Sequence, residues 1–287
     1  MKNSKAASII FTTIIVLSFT LIYLPVLVIF LMSFTKSYSL TTLGFSSGLT
    51  LKWYASLFTT DYGALDILYR YSANIRTLKN AIINTFGITI LSTSTATILG
   101  TMFSIGINAL SKKKRTMMLT LNNMPIVTPD IVTGFLLLLV FVVFETVFGL
   151  KRGFPTVLIA HIFFSIPYVV LSVLPRLSQI DPNTYEAARD LGCSRMGALV
   201  KAIIPSIMTG IISGAMFAFT MSIDDFVITM FVSGTRFHNV STWIDNGWRR
   251  GYIPKSVYAY NVIIFLIALI VIIVNRGIQS KNRKVKL

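Results

Sequence analysis

Three of the ten acidic residues, Asp130, Asp224 and Asp225, lie inside apolar runs, where a carboxylate can act on a cation. An aspartate at the centre of a membrane helix costs roughly 2.5–3.5 kcal/mol on the insertion scale, so the adjacent pair costs about 5–7 kcal/mol. The eleven Ile, Phe and Val residues between Ile207 and Val232 return about 3–7 kcal/mol on the same scale. The pair therefore cancels the insertion energy of its own run unless it sits off-centre, faces water or meets a positive partner. No lysine or arginine lies in that run, so an external cation is a natural partner, with amine-bearing solutes the obvious candidates; the alternative is a structural pair that bonds to a partner subunit. Adjacent helical positions point about 100° apart, so at most one aspartate faces a cavity squarely while the other bonds to a neighbouring helix. Asp130 follows Pro129; it either joins the pair's chemistry or caps a half-helix, whose N-terminal dipole favours negative charge.

A second constellation is polar. Residues 180–206, IDPNTYEAARDLGCSRMGALVKAIIPS, form a helix-favouring segment between two apolar runs. Asp181 before Pro182 is a helix-start signal, Gly192 falls where that helix would end, and Ser194 can cap a second. Two short helices joined by a glycine turn at a membrane face suit a groove on a soluble partner.

Other chemistries find little support. No Gly-x4-Gly-Lys-Ser/Thr phosphate loop occurs, so energy from ATP would have to come from another polypeptide. The two histidines, His161 and His238, are far apart, and the single cysteine, Cys193, excludes an internal disulfide and a cysteine-based metal site. No cofactor or metal is expected; His161 reads as a packing residue and Glu145 as a solvated one. A membrane enzyme would need catalytic groups clustered at one interface, and none are found.

These residues must be held by membrane-spanning helices. The 287 residues are 54% hydrophobic, with mean hydropathy +0.74. Six runs reach the ~20 residues a bilayer requires: 6–34, 80–110, 117–148, 155–177, 206–232 and 257–275. Barrel-type alternation is absent, so the fold class is an all-α integral membrane protein. The net charge of +16 does not indicate nucleic acid. Lys2, Lys5, the Lys112–Arg115 cluster, Arg176, Arg189, Arg195, Lys201 and the tail after Arg276 all fall on one side if the N terminus is cytoplasmic. Both termini are then inside, and the basic clusters suit anionic lipid head groups. The first run is too long for a signal peptide and lacks a small-residue cleavage site, so it is expected to remain as a helix.

The outer segment 35–79 has turn residues Gly44, Ser46, Ser47 and Gly48, then an amphipathic stretch with Trp53 and Tyr54 at the outer interface. The second run is dense in Ser, Thr and Gly and should pack against other helices. Pro125 and Pro129 should break or kink the third. The loop 233–256, with Trp243, Trp248 and Tyr252, should form a short surface helix. Three parts follow: residues 1–79, a core of five spans at 80–275 with its cytoplasmic loop at 178–205, and a basic tail at 276–287.

Glu186-Ala187-Ala188, Gly192 and Ile204-Pro205 resemble the EAA loop of binding-protein-dependent ABC importers, with apolar departures at Ala202 and Ile204. Ser222-Ile223-Asp224-Asp225-Phe226 and Pro129-Asp130-Ile131-Val132 are similar to the polyamine branch of these permeases, as is an aromatic pair after the first run. The resemblance spans nearly the whole chain and is weakest across 35–79. It implies a type I permease of six spans in a bacterial plasma membrane, paired with a second permease. Two ATPase subunits would sit below, and an extracytoplasmic binding protein would deliver spermidine or putrescine. Trp53, Asp130, Ser222, Asp224 and Asp225 would line or gate the path; Glu186, Ala187, Ala188, Gly192 and Pro205 would couple to the ATPase. The alternatives are the same architecture with another cationic or metal-complex solute, or an ATP-independent channel or carrier, which would need no ordered docking loop.

Overall fold

The computed structural model describes residues 2–36, 48–58, 68–181, 183–235, 237–249 and 255–284. Gly44, Ser46 and Ser47 of the expected turn, Pro182, Arg250, Tyr252 and the last three tail residues lie outside them. The regular elements of the described residues are helices, with one isolated bridge between Thr35 and Leu49. They are α1 (Lys2–Ser33), α2 (Lys52–Phe58), α3 (Leu68–Asn108), α4 (Lys112–Val127), α5 (Asp130–Phe148), α6 (Phe154–Leu177) and α7 (Asn183–Asp190). Next come α8 (Arg195–Ala198), a π turn at Leu199–Ile203, α9 (Ile204–Ser206), α10 (Met208–Ile223), α11 (Val227–Val232), α12 (Val240–Arg249) and α13 (Ser256–Lys284). Among the described residues four helices are long and apolar enough to cross a membrane, and a fifth crossing forms if Arg195–Ser206 and Met208–Ile223, bent by 73°, count as one. The start of α13, Ser256–Ile270, is a shorter apolar helix over its described residues.

Two expected spans are not single helices. The third run divides at Thr128-Pro129 into α4 and α5. Pro129 causes the division, because its ring disfavours helix at Thr128, which is extended at φ −76° and ψ 133°. Pro125 is accommodated inside α4. The fifth run bends at Ile207 and opens again at residues 224–226. Hydropathy reads straight through both places, since it counts apolar side chains and not backbone continuity. In contrast, α6 matches its expected run closely, and α12 is the short helix expected within 233–256.

The chain forms two compact units. One comprises residues 1–79 and 247–287. In it α13 packs against α1 and α2, and the chain leaving α1 doubles back as Thr50 N–H donates to Phe34 O at 2.7 Å. Trp53 is buried, not at an exposed interfacial belt, and its indole N–H donates to Thr35 O at 2.9 Å. Tyr54 Oη and Ser33 Oγ share a 2.6 Å hydrogen bond. Lys255, fully buried just before α13, donates from Nζ to Thr35 Oγ1 at 2.7 Å.

The second unit is residues 80–246. Its axis is α6, with Val157, Ala160, Val169, Val170 and Val173 fully buried. Small residues allow close approach: a Cβ at Gly214 of α10 would stand 3.1 Å from the Val169 Cα. The hydroxyl-rich α3 is buried through Thr85, Thr89, Ser92 and Ser104, as its composition predicts. α11 packs against both α5 and α6.

Candidate functional site

The opening between α10 and α11 frees backbone groups that a continuous helix would satisfy, and in a membrane span each must find a partner. Asp225 supplies partners for two of them. Its Oδ2 accepts from the Thr229 N–H at 2.8 Å and from the Thr229 hydroxyl at 2.7 Å, and its Oδ1 accepts from the Ile228 N–H at 3.3 Å. The carboxylate thus caps the positive end of α11. The Asp225 carbonyl accepts from Asn239 Nδ2 at 2.6 Å. Asn239 is itself fixed by Thr242, whose N–H and hydroxyl both donate to Asn239 Oδ1.

His161 of α6 completes the arrangement. Its Nε2 lies 2.9 Å from Thr229 Oγ1 and 3.4 Å from Asp225 Oδ2, and its Nδ1 lies 2.7 Å from Ser222 Oγ. Ser222 continues the chain to Ser92 of α3 at 2.9 Å. Side chains from α3, α6, α10 and α11 therefore form one buried polar network in the second unit. Its floor is apolar: Phe164 sits with its ring centroid 5.1 Å from that of His161, beside Val157 and Ala160.

Asp224 differs from its neighbour. It is exposed at the opening and has no hydrogen-bond or ionic partner among the described residues. With α10 at about 1.5 Å per residue, sixteen residues from Met208 carry the chain ~24 Å, past the middle of a hydrocarbon layer about 30 Å thick. Asp130 is likewise exposed and forms the first residue of α5, at the other opening, without a side-chain cap bond. The Tyr168 phenol on α6 lies within electrostatic reach of Asp130. The first turns of α5 meet α11, because a Cβ at Gly134 would stand 2.7 Å from the Phe231 ring. The structure thus separates the aspartates: Asp225 is engaged internally, whereas Asp224 and Asp130 are open. Ser222 is buried in the network and does not line an open surface. Trp53 lies in the first unit, and its indole is committed to Thr35.

The polar loop 178–205 has the expected local structure among its described residues. Asp181 Oδ1 accepts from the Asn183 N–H at 2.9 Å at the start of α7. Gly192 takes φ 87°, and the Cys193 N–H returns to Ala188 O at 3.2 Å to close that helix. Ser194 Oγ then accepts from the Gly197 N–H at 3.0 Å to start α8. Glu186, Ala187 and Pro205 are exposed and Ala188 is half-buried, while Leu191 and Met196 stand out at 86% and 68% exposure.

His161 and Asn239 carry the site yet drew no functional expectation. The available signal was thin: an imidazole in an apolar run needs buried partners, and its partners lie 61 and 68 residues away. Glu145 is also not merely solvated, since it pairs with Arg152 Nε at 2.9 Å.

Comparison with known proteins agrees with this architecture. Residues 96–284 match the family described as the binding-protein-dependent transport system inner membrane component. The spermidine/putrescine transport system permease protein PotC of Haemophilus influenzae is 30% identical over 91% of this chain and 93% of its own length. The putrescine transport system permease protein PotI of Escherichia coli K12 is 31% identical over 84% of this chain and 81% of its own. Among solved structures, a chain of a bacterial ABC transporter that imports the acidic polysaccharide alginate superposes with a TM-score of 0.62 at 16% identity, covering 98% of each chain. At that identity the likeness concerns the fold, an ABC importer permease. The match over residues 96–284 and the 30% identity to PotC along nearly the whole chain make this chain a member of the binding-protein-dependent transport system inner membrane component family.

Proposed function

We propose that this permease carries polyamines, spermidine or putrescine, inward by alternating access, with Asp224 as the carboxylate that meets the ammonium groups. The observation that carries the reading is the division of labour at the opening. Asp225 is consumed in capping α11, while Asp224 beside it is exposed and unpartnered among the described residues. Two adjacent carboxylates with no lysine or arginine in contact make a local negative potential, which a primary ammonium satisfies by charge and by three N–H donors. Asp130 offers a second open carboxylate, a suitable arrangement for a cargo with amines at both ends. The names of the relatives, PotC and PotI, support the same cargo.

In this reading Trp53 contributes to the outer gate. Ser222 and Asp225 support the path from behind. Glu186, Ala187, Ala188, Gly192 and Pro205 form the face that engages the ATPase. The complete machine has a second permease, two ATPase subunits, an extracytoplasmic polyamine-binding protein and surrounding lipid. Both termini are cytoplasmic, with residues 1–79 as a peripheral part, 80–275 as the core and 276–287 as a basic tail.

The test is ATP-driven uptake of radiolabelled spermidine and putrescine by the assembled complex in proteoliposomes. Asp224→Asn should lower uptake by about tenfold or more, the loss of one charge-assisted contact, with subunit recovery unchanged. Normal uptake of both amines by an intact Asp224→Asn complex would overturn the assignment; saturable uptake of a different cation instead would reassign the cargo.

A further inference from the structure

We infer that His161 is a positioning residue for transport: one imidazole clamps both lips of the opening in the fifth span and so fixes where Asp224 is presented. This rests on the reading of Asp224 as the group that meets the cation.

The ring bridges the opening. Nδ1 reaches Ser222 on the last turn of α10, and Nε2 reaches Thr229 on α11. Hydrogen bookkeeping fixes the direction of the second contact. The Thr229 hydroxyl has one proton, and it goes to Asp225 Oδ2 at 2.7 Å. Thr229 Oγ1 can then only accept from His161, so Nε2 bears the hydrogen. Nε2–H also points toward the Asp225 carboxylate, 3.4 Å away. In the neutral ring Nδ1 then accepts from Ser222.

Asp224 touches none of this, but it lies between two pinned neighbours. Ser222 is held by His161 and Ser92, and Asp225 by the α11 N–H groups, Thr229 and Asn239. The backbone of residue 224 is therefore set from both sides, while its carboxylate stays open. No glycine occupies 222–226, and no helical hydrogen bond runs across the opening, so the clamp takes the place of continuous helix. His161 is 1% exposed, and bulk water cannot substitute for its contacts.

Three substitutions probe the clamp. His161→Asn keeps an amide near Nδ1, His161→Gln keeps one near Nε2, and His161→Phe keeps volume without either arm. In a background with Cys193→Ser, which removes the only native thiol, Asp224→Cys reports the presentation of that position. The probe is its rate of reaction with 2-(trimethylammonium)ethyl methanethiosulfonate in the assembled complex, with Val147→Cys on α5 as a reference. All three His161 substitutions should change the rate at 224 by about tenfold, the scale of one lost buried hydrogen bond, and leave 147 unaltered. Transport is read separately. Each substitution should reduce spermidine moved per ATP hydrolysed while ATP hydrolysis continues, and His161→Gln/Asp224→Asn should transport no worse than Asp224→Asn alone.

An unchanged rate at 224 would overturn the clamp, as would multiplicative losses in the double variant. Failure of all three variants to assemble would also overturn it, by making His161 a packing residue. If Asp224→Asn transports normally while the rate at 224 still responds to His161, the cargo assignment fails and the clamp stands.

Discussion

At Asp225 one carboxylate satisfies two backbone N–H groups, a hydroxyl and an imidazole, so its neighbours depend on it more than any cargo does. Asp225→Ala leaves the two N–H groups and the Thr229 hydroxyl without their acceptor, at about 1–3 kcal/mol for each group that water cannot reach. We predict a lower Tm for the detergent-solubilised complex, with Asp225→Asn intermediate because it retains an acceptor; Asp224→Asn should leave Tm unmoved. Thermal unfolding followed by tryptophan fluorescence separates the three. Lys255 carries a prediction of the opposite sign. Burial holds its ammonium below the ordinary lysine value, and its hydrogen-bond partner among the described residues is the neutral Thr35 hydroxyl. As pH rises through the lowered value, the folded chain releases a proton that the unfolded chain keeps until about 10.4. The unfolded state then binds more protons, and stability rises with pH across that window. Lys255→Met removes the cost of burying charge, so its Tm should exceed that of the parent at pH 7 and the difference should shrink by pH 10. The spacing Ser222-x-Asp224-Asp225 was legible in the sequence, and so was the rule that only one aspartate could face outward. Which one was not legible, because the choice depends on His161 and Asn239, residues brought near only by folding.

Among the elements, the polar loop between α6 and α10 was legible in most detail, because its signals are local. Asp181, Gly192 and Ser194 each act within a few residues of their own position. The openings in the spans were half legible. Pro129 announces one by its ring, whereas nothing in Ile223 to Phe226 announces the other except the cost of two carboxylates in an apolar run. That opening lowers the cost, since Asp225 gains N–H donors only because α11 starts there. At Gly192, φ is 87°, a conformation that costs a residue with a Cβ roughly 1–2 kcal/mol. Gly192→Val should therefore loosen the angle between α7 and α8. If this loop couples to the ATPase, the expected result is fewer spermidine molecules moved per ATP hydrolysed, measured in proteoliposomes, with ligand binding to the extracytoplasmic receptor unaltered. At Gly214 an added Cβ would press on the Val169 backbone at 3.1 Å. Gly214→Leu should separate α10 from α6 and cost about 1–3 kcal/mol, visible as reduced recovery of folded chain from membranes.

For the whole molecule, the exposed surface indicates what must surround it. Along the candidate span Ser8–Ser33 of α1 burial is confined to Met32 and Ser33 at its end, and large apolar side chains such as Phe11, Leu17 and Leu21 are at least 69% exposed. Such a surface needs lipid or other transmembrane helices against it. Hydropathy made that surface legible from the start, while the division into two units, with the last helix joining the first, was invisible to it because it pairs segments over 200 residues apart. The second unit holds the open carboxylates on one part and the ordered loop on another, yet no phosphate loop lies anywhere in the 287 residues. In the proposed reading, a cation site and a docking loop with no phosphate loop of their own belong to one component of a larger transporter. Purified alone into vesicles, this chain should give no spermidine flux above protein-free vesicles, with or without ATP. Co-reconstituted with a sister permease, an ATPase and a receptor, it should give uptake that requires ATP and stops when the receptor is omitted. Saturable flux by the chain alone would instead identify a self-sufficient carrier, in which the ordered loop would have no partner to engage.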